Sequence, residues 1–279
     1  VSGRHLVQGA RHYCSDACFE RTLPTCALCG KALRESFTIE GRTYCRAHAE
    51  GPRCDACSRP VEGGETLADG RVVCAACRPS LVFDRGEAAV LYARARRMLA
   101  VALGEPLPPA PPLHMVGLDA LPEHRGLDAA VSVRELGRYQ RETVTTTTRN
   151  LFGRVLKEET AVSRRILMLY GLPADSFLST VVHELTHDLL AERYPRFDER
   201  APEWAKEGLC QYTAAMVCRR LGCGDVVAEI ESAPDEVYGD GYRWWARRFG
   251  PAGWDGIRRW LEHGDAAALP ARAPATPPR

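Results

Sequence analysis

Four closely spaced donor pairs fix what the first third of this chain can become: Cys26-x2-Cys29, Cys45-x2-His48, Cys54-x2-Cys57 and Cys74-x2-Cys77. Each pair forms a tight knuckle that offers two donors to one tetrahedral zinc, a spacing that a disulfide framework does not require. An internal repeat of roughly thirty residues closes with Gly41-Arg42-Thr43-Tyr44-Cys45 and again with Gly70-Arg71-Val72-Val73-Cys74, which assigns one structural zinc to each repeat. The ligand sets are then Cys26, Cys29, Cys45, His48 and Cys54, Cys57, Cys74, Cys77. Gly9-Ala10-Arg11-His12-Tyr13-Cys14 begins the ending of an earlier copy, whose Cys14 and Cys18 have no cysteine pair upstream. That first module reads as truncated, with a partial site that His5 or His12 would complete weakly. Large apolar residues are few over 1–78, so metal has to supply the stability that burial does not. Thiolate sites of this kind imply a reducing compartment, and a cytoplasmic location is expected.

A second pattern carries different chemistry. In His183-Glu184-Leu185-Thr186-His187 the two histidines are four apart. On a helix that places both imidazoles on one face, with Glu184 about 100° round beside them. Phe177, Val181, Leu185 and Leu189 form an i, i+4 apolar stripe on the opposite face, and Asp175 or Ser176 after Pro173 supplies a helix start. A hydrolytic zinc takes three protein ligands and a water, so a third ligand is needed. A second helical segment, from Pro202 through Met216, offers Glu203 and Glu207 one turn apart. Glu203, beside Pro202, is placed to complement the helix N-terminus. Glu207 is preferred, because its separation of twenty from His187 matches the gluzincin metallopeptidases. Gly208 removes a side chain where two helices need close approach. Gln211, one turn further, is a candidate hydrogen-bond partner for a ligand histidine. Cys210, Cys218 and Cys223 read as buried free thiols.

Between these regions, 79–112 reads as a helix and a proline-rich linker. Short strands are expected between Leu113 and Tyr170, notably Thr143 to Thr148 and Arg165 to Tyr170, one of them a possible edge for an extended substrate. The peptidase-type domain is placed at 113–264 and a disordered tail at 265–279. Trp244 and Trp245 are expected in the core, and His114, His124 and His263 at the surface. A formal net charge of +1, with eleven Lys/Arg against nine Asp/Glu over 1–78, shows no basic face for nucleic acid, so protein binding is the default for the zinc modules. No run is apolar enough for a membrane span.

Nearly end to end, the chain resembles the plant organ-size-limiting peptidases, which join LIM-type zinc modules to a gluzincin domain. The resemblance runs through the paired-cysteine modules to Cys77, Thr143-Val144-Thr145-Thr146, Tyr170-Gly171-Leu172-Pro173, the histidine helix, Glu207-Gly208-Leu209-Cys210-Gln211, Ile230-Glu231-Ser232 and Tyr238-Gly239-Asp240-Gly241-Tyr242-Arg243. It implies a multidomain fold: LIM-like β modules, then an α+β zincin-like domain. It also implies a zinc endopeptidase acting on protein substrates, with one catalytic and at least two structural zinc ions. Members are often latent, and the plant ones are activated through ubiquitin; their ubiquitin-interacting motifs are not visible here. A protein activator or ubiquitin is therefore the partner the resemblance suggests, and the alanine and arginine bias suggests a bacterial relative.

On this reading His183, His187 and Glu207 hold the catalytic zinc and Glu184 moves the proton. Tyr238 is the first choice for the donor to the developing oxyanion, because glycines let its loop approach closely. Two other readings stand beside it. One is a LIM-type adaptor with a latent or inactive peptidase domain. The other is a RING-type ubiquitin-ligase module, whose ligand pairs would alternate between its zincs and which the five residues from His48 to Cys54 disfavour.

Overall fold

A computed structural model of the protein describes residues 6–8, 11–121, 124–125, 132–133, 136–149, 152, 154–250 and 253–274. The chain divides into two compact units, Val1–Leu81 and Val82–Arg279.

The first unit opens with the antiparallel pair β1 (Leu6–Gln8) and β2 (Arg11–Tyr13) and a short helix α1 (Asp16–Glu20). Two repeats follow. In one, the hairpin β3 (Phe37–Ile39) and β4 (Arg42–Tyr44) leads into α2 (Arg46–Ala49); in the other, β5 (Glu65–Thr66) pairs with β6 (Val72–Val73). Their identity as repeats is visible in the backbone. Cys26 N donates to Lys31 O as Cys54 N does to Arg59 O, and Ala27 N donates to Thr43 O as Asp55 N does to Val72 O. Each knuckle must turn through the left-handed region just after its second cysteine. Gly30 does so at φ 68° and Ser58 at φ 58°, a conformation that suits glycine better than serine. Buried apolar content is slight: around the first knuckle the cluster is Cys26, Leu33 and Tyr44. A core of this size does not offset chain entropy without metal.

Strand β7 (Leu81–Val82) lies where the chain passes from one unit to the next. The second unit begins with α3 (Arg85–Leu103), then β8 (Leu113–Val116), β9 (His124–Arg125) and β10 (Ser132–Val133). The long strands β11 (Gly137–Arg149) and β12 (Val155–Leu169) and the short β13 (Leu172–Pro173) follow. The remainder is helical: α4 (Ala174–Arg193), α5 (Pro195–Arg200), α6 (Glu203–Leu221), α7 (Gly224–Ser232), a π-helical turn over Glu236–Asp240, α8 (Gly241–Phe249) and α9 (Gly253–His263). The main sheet has the order β11-β12-β8, with β12 antiparallel to β11 and parallel to β8. The protein is thus multidomain, with cysteine-rich modules ahead of an α+β unit.

Helix α4 is buried along Phe177, Val181, Leu185 and Leu189, the stripe its periodicity predicts, and Leu178, Val182 and Leu190 widen it. It packs against α6, and buried Thr186 and Thr213 join the two helices through hydroxyls 2.6 Å apart. Trp245 is fully buried and donates its indole N–H to Ala205 O at 2.8 Å. Its ring meets Phe197, Trp244, Phe249 and Trp260, so Trp245 is core as expected, while Trp244 is only partly buried against it.

Three segments differ from expectation. The stretch 79–112 is not simply a linker: α3 buries Ala88, Ala95, Leu99 and Leu103 in the same core as α4. Its buried face is half alanine, which weakens the apolar signal. The strands are long rather than short, because β11 and β12 continue past the core as a two-stranded ribbon whose outer residues are exposed on both faces. The segment 265–274 is ordered, with Pro270 O accepting from Trp204 Nε1 at 2.8 Å and Ala273 buried. Residues 275–279, like His5, lie outside the described residues.

Candidate metal centre

Side chains from two helices make the centre. On α4, His183 and His187 lie one turn apart with Nε2 atoms 3.2 Å from each other. On α6, Glu207 brings Oε2 to 2.9 Å from His183 Nε2 and 3.4 Å from His187 Nε2. Donors held about 2.0–2.1 Å from a tetrahedral ion stand about 3.3 Å apart, and these three separations bracket that value. Glu203 opens α6 and is not among these donors.

Close packing of α6 against the start of α8 sets the position of Glu207. A Cβ on Gly208 would meet the backbone of Gly241, with Cα at 2.5 Å and O at 2.7 Å; a Cβ on Gly241 would meet Trp204 O, and Gly208 Cα at 3.0 Å. Two facing glycines thus permit an approach that any other pair would block.

Electrostatics agree with a cation site. Burial raises the Glu207 carboxyl, but His187 and His183 outweigh it and hold Glu207 well below the ordinary carboxylate range. Burial lowers His187, but Cys210 and Glu207 outweigh it and hold the imidazole well above its ordinary value. Glu184 is pushed up, chiefly by burial, with the two imidazoles opposing. Its Oε2 accepts the backbone N–H of Tyr139 at 2.6 Å, which fastens it to the edge strand β11. Asp188 next along α4 is buried and takes Arg164 Nη1 of β12 at 2.8 Å, a second tie between helix and sheet.

A cleft of about 300 Å³ opens beside His183 and Glu184, floored by Gly137 and walled by Val226 and Ile230 of α7. Tyr238 and Gln211 line it. The Tyr238 ring lies 6.1 Å from that of His183 and is carried on the π-helical turn, whose Asp240 N bonds Asp235 O while Asp235 Oδ1 caps Tyr238 N. Tyr242 points elsewhere: it is buried, accepts from Arg219 Nη2 at 2.6 Å and donates to Glu231. Gln211 faces the cleft, and no hydrogen bond joins it to either histidine among the described residues.

Sequence reasoning missed two participants. One is the Tyr139 amide, a backbone group with no sequence signal. The other is Cys210, read as an ordinary buried thiol, whose Sγ lies within 4.8 Å of ring nitrogens of both His183 and His187. Its place three residues after Glu207 on one helix was the available clue. Burial pushes the thiol up to about 11, against the pull of His187.

In the first unit the donors gather in two further groups, Cys26, Cys29, Cys45, His48 and Cys54, Cys57, Cys74, Cys77. Consecutive pairs share a site, the reverse of the alternating order of a RING. His48 turns Nδ1 to Cys26 and Cys45, at 3.3 and 3.2 Å, and Nε2 to Glu62 at 3.5 Å, the carboxylate–imidazole arrangement that fixes a ligand tautomer. Against burial, the amides of Cys29, Cys45 and Leu28 pull Cys26 down to about 5, and those of Cys74, Ala56 and Cys57 pull Cys54 to about 7. Burial and the neighbouring thiols push Cys57 and Cys77 the other way. Three thiols with an imidazole, and four thiols, are donor sets that fit zinc. Cys14 and Cys18 interact with each other and join no group of three donors among the described residues. Nor is any described helix long and apolar enough to cross a membrane.

No family model matches the chain, and no solved structure matches it. It is similar to two curated Arabidopsis thaliana proteins. Protein DA1-related 2 is 29% identical over 231 residues, 71% of this chain and 43% of that protein. Protein DA1-related 1 is 29% identical over 242 residues, 75% of this chain and 43% of that protein. The chain spans less than half the length of these relatives.

Proposed function

We propose that the protein is a zinc-dependent endopeptidase of the gluzincin type acting on protein substrates, with LIM-type zinc modules that serve protein interaction or regulation. The observation that carries this reading is the convergence of His183, His187 and Glu207 at tetrahedral spacing beside a buried Glu184 that faces an open cleft.

Zinc bound by these three residues supplies Lewis acidity and a water acidified to near neutral pH. Glu184, with Oε2 committed to the Tyr139 amide, has Oε1 for the proton of the attacking water and returns that proton to the leaving amine. Its raised affinity for a proton, due to burial, suits both halves of that exchange. Tyr238 donates a hydrogen bond to the substrate carbonyl oxygen as charge develops there. Gly137 keeps the floor of the cleft low enough for a peptide backbone, since a Cβ there would crowd Thr180, Met168 and Glu184. Substrate proteins, and an activator acting through the modules, are the expected partners.

The test is zinc content and turnover on folded protein. Elemental analysis should give about three zincs per chain, falling by about one in His183→Ala. Glu184→Gln should keep the zinc and lose about 100-fold or more in peptide hydrolysis. An unchanged zinc count in His183→Ala would remove the peptidase reading and leave a LIM-type adaptor.

A further inference from the structure

We propose that Arg243 is the positioning residue for Tyr238: its guanidinium ties together the two ends of the segment that carries the tyrosine and so holds the phenol beside the metal centre. The inference rests on the reading of Tyr238 as the donor to the substrate carbonyl oxygen and goes beyond it.

Tyr238 sits on the π-helical turn Glu236–Asp240, closed by the bond from Asp240 N to Asp235 O. A turn of this kind is wider than an α-helical one and rare on its own, so its shape depends on ties from outside its backbone ladder. At its start, Asp235 Oδ1 accepts Tyr238 N at 2.6 Å and Gly239 N at 3.4 Å. Its end is held from α8. Arg243 donates Nε and Nη2 to Asp240 Oδ1 at 3.2 and 2.9 Å. The same guanidinium turns Nη1 the other way, to Ala233 O at 2.7 Å and Glu231 O at 3.3 Å. One planar cation thus joins the chain ahead of the turn to the turn's last residue. Between these anchors lies Tyr238, its ring 6.1 Å from that of His183. Ala233, Asp235 and Tyr238 all line the cleft, so a slip at either anchor moves its wall.

Gly239 shows how tightly the segment is drawn. A Cβ there would run into Ala233 O and stand 3.1 Å from Arg243 Nη2, so glycine lets the turn settle onto the very carbonyl that the arginine holds. The Arg243–Asp240 pair is largely withdrawn from solvent, with side chains 24% and 22% exposed. All three guanidinium nitrogens act at once, in directions fixed by the planar fork. A lysine ammonium keeps the charge and offers a single centre, so it cannot span both anchors.

The experiment is steady-state peptide hydrolysis by the full chain, with zinc content and melting temperature, for Arg243→Lys, Tyr238→Phe and the double variant. Arg243→Lys should keep its zinc and lower kcat by about tenfold with little change in KM; in the Tyr238→Phe background the same substitution should change kcat by less than about twofold, because the group it positions is gone. An equal loss in both backgrounds would overturn the inference and leave the peptidase reading intact. So would a lower melting temperature with kcat preserved, the pattern expected of Tyr242→Phe and of a purely structural contact. If Arg243→Lys does not fold, Asp240→Asn takes its place in the same comparison, since it keeps an oxygen acceptor and removes the partner's charge. Hydrolysis that is absent from the wild type, or undiminished by Glu184→Gln, would overturn both.

Discussion

Replacing Gly208 by alanine tests the packing that positions Glu207. The added Cβ would stand 2.5 Å from Gly241 Cα and 2.7 Å from Gly241 O. Both are backbone atoms, so no rotamer change relieves the contact, and the cost belongs near the top of the usual overpacking range, about 3 kcal/mol. Alanine returns about 1 kcal/mol through its better helix propensity. The net loss is about 2 kcal/mol, a fall in melting temperature of about 4–8 °C for a unit of this size. Gly241→Ala should do the same, and the double variant should cost less than the sum, because the first separation of the helices relieves the second. Since Glu207 precedes Gly208, the shift should also weaken metal binding, read as zinc content after mild chelation. Gly224→Ala is the control: a Cβ there meets nothing within 4 Å, and stability should hold or rise. A Gly208→Ala protein that melts at or above the wild type and keeps its zinc would refute the reasoning.

Other expectations follow from the same geometry. His187 binds metal only when neutral and its proton is held well above the ordinary imidazole value, so zinc affinity should still climb tenfold per pH unit through neutrality, where an unperturbed histidine would have levelled off. Glu207, held low, adds no step there; competition titrations at several pH values would show a plateau by about pH 6.5 if the His187 argument is wrong. Tyr238→Phe should lower kcat by about 10–1000-fold with little change in KM, while Tyr242→Phe should cost about 1–2 kcal/mol of stability and spare kcat; the opposite pattern in kinetics and melting would reverse their roles. A strong chelator should unfold the first unit, whose apolar clusters are small, and leave the helical signal of the second largely intact. Circular dichroism showing a single concerted loss would contradict that division.

Legibility in the sequence follows how local the determining physics is. The α4 stripe and its paired histidines were readable because helical periodicity is a short-range property. The knuckle repeats were readable for the same reason. Gly208 announced a close approach but not its partner: Gly241, thirty-three residues on, looked like loop freedom for Tyr238 and instead admits α6. Helix α3 escaped as a core element because Ala88 and Ala95 carry half of its buried face next to a proline-rich stretch. The β11–β12 ribbon escaped because its outer residues, Thr145 against Thr160 and Thr147 against Glu158, alternate no apolar face for a pattern to reveal. Cys210 escaped because its meaning depends on a neighbouring helix.

Glu105, between α3 and β8, accepts from Arg193 Nη1 and Trp254 Nε1, each at 2.8 Å. The first of these bonds spans 88 positions of the chain and the second 149. Closing loops of that length costs entropy before it returns any contact energy, so such bonds form late in folding. The carboxylate is therefore a latch that fastens Arg193 and Trp254 only once the chain between them and Glu105 is in place.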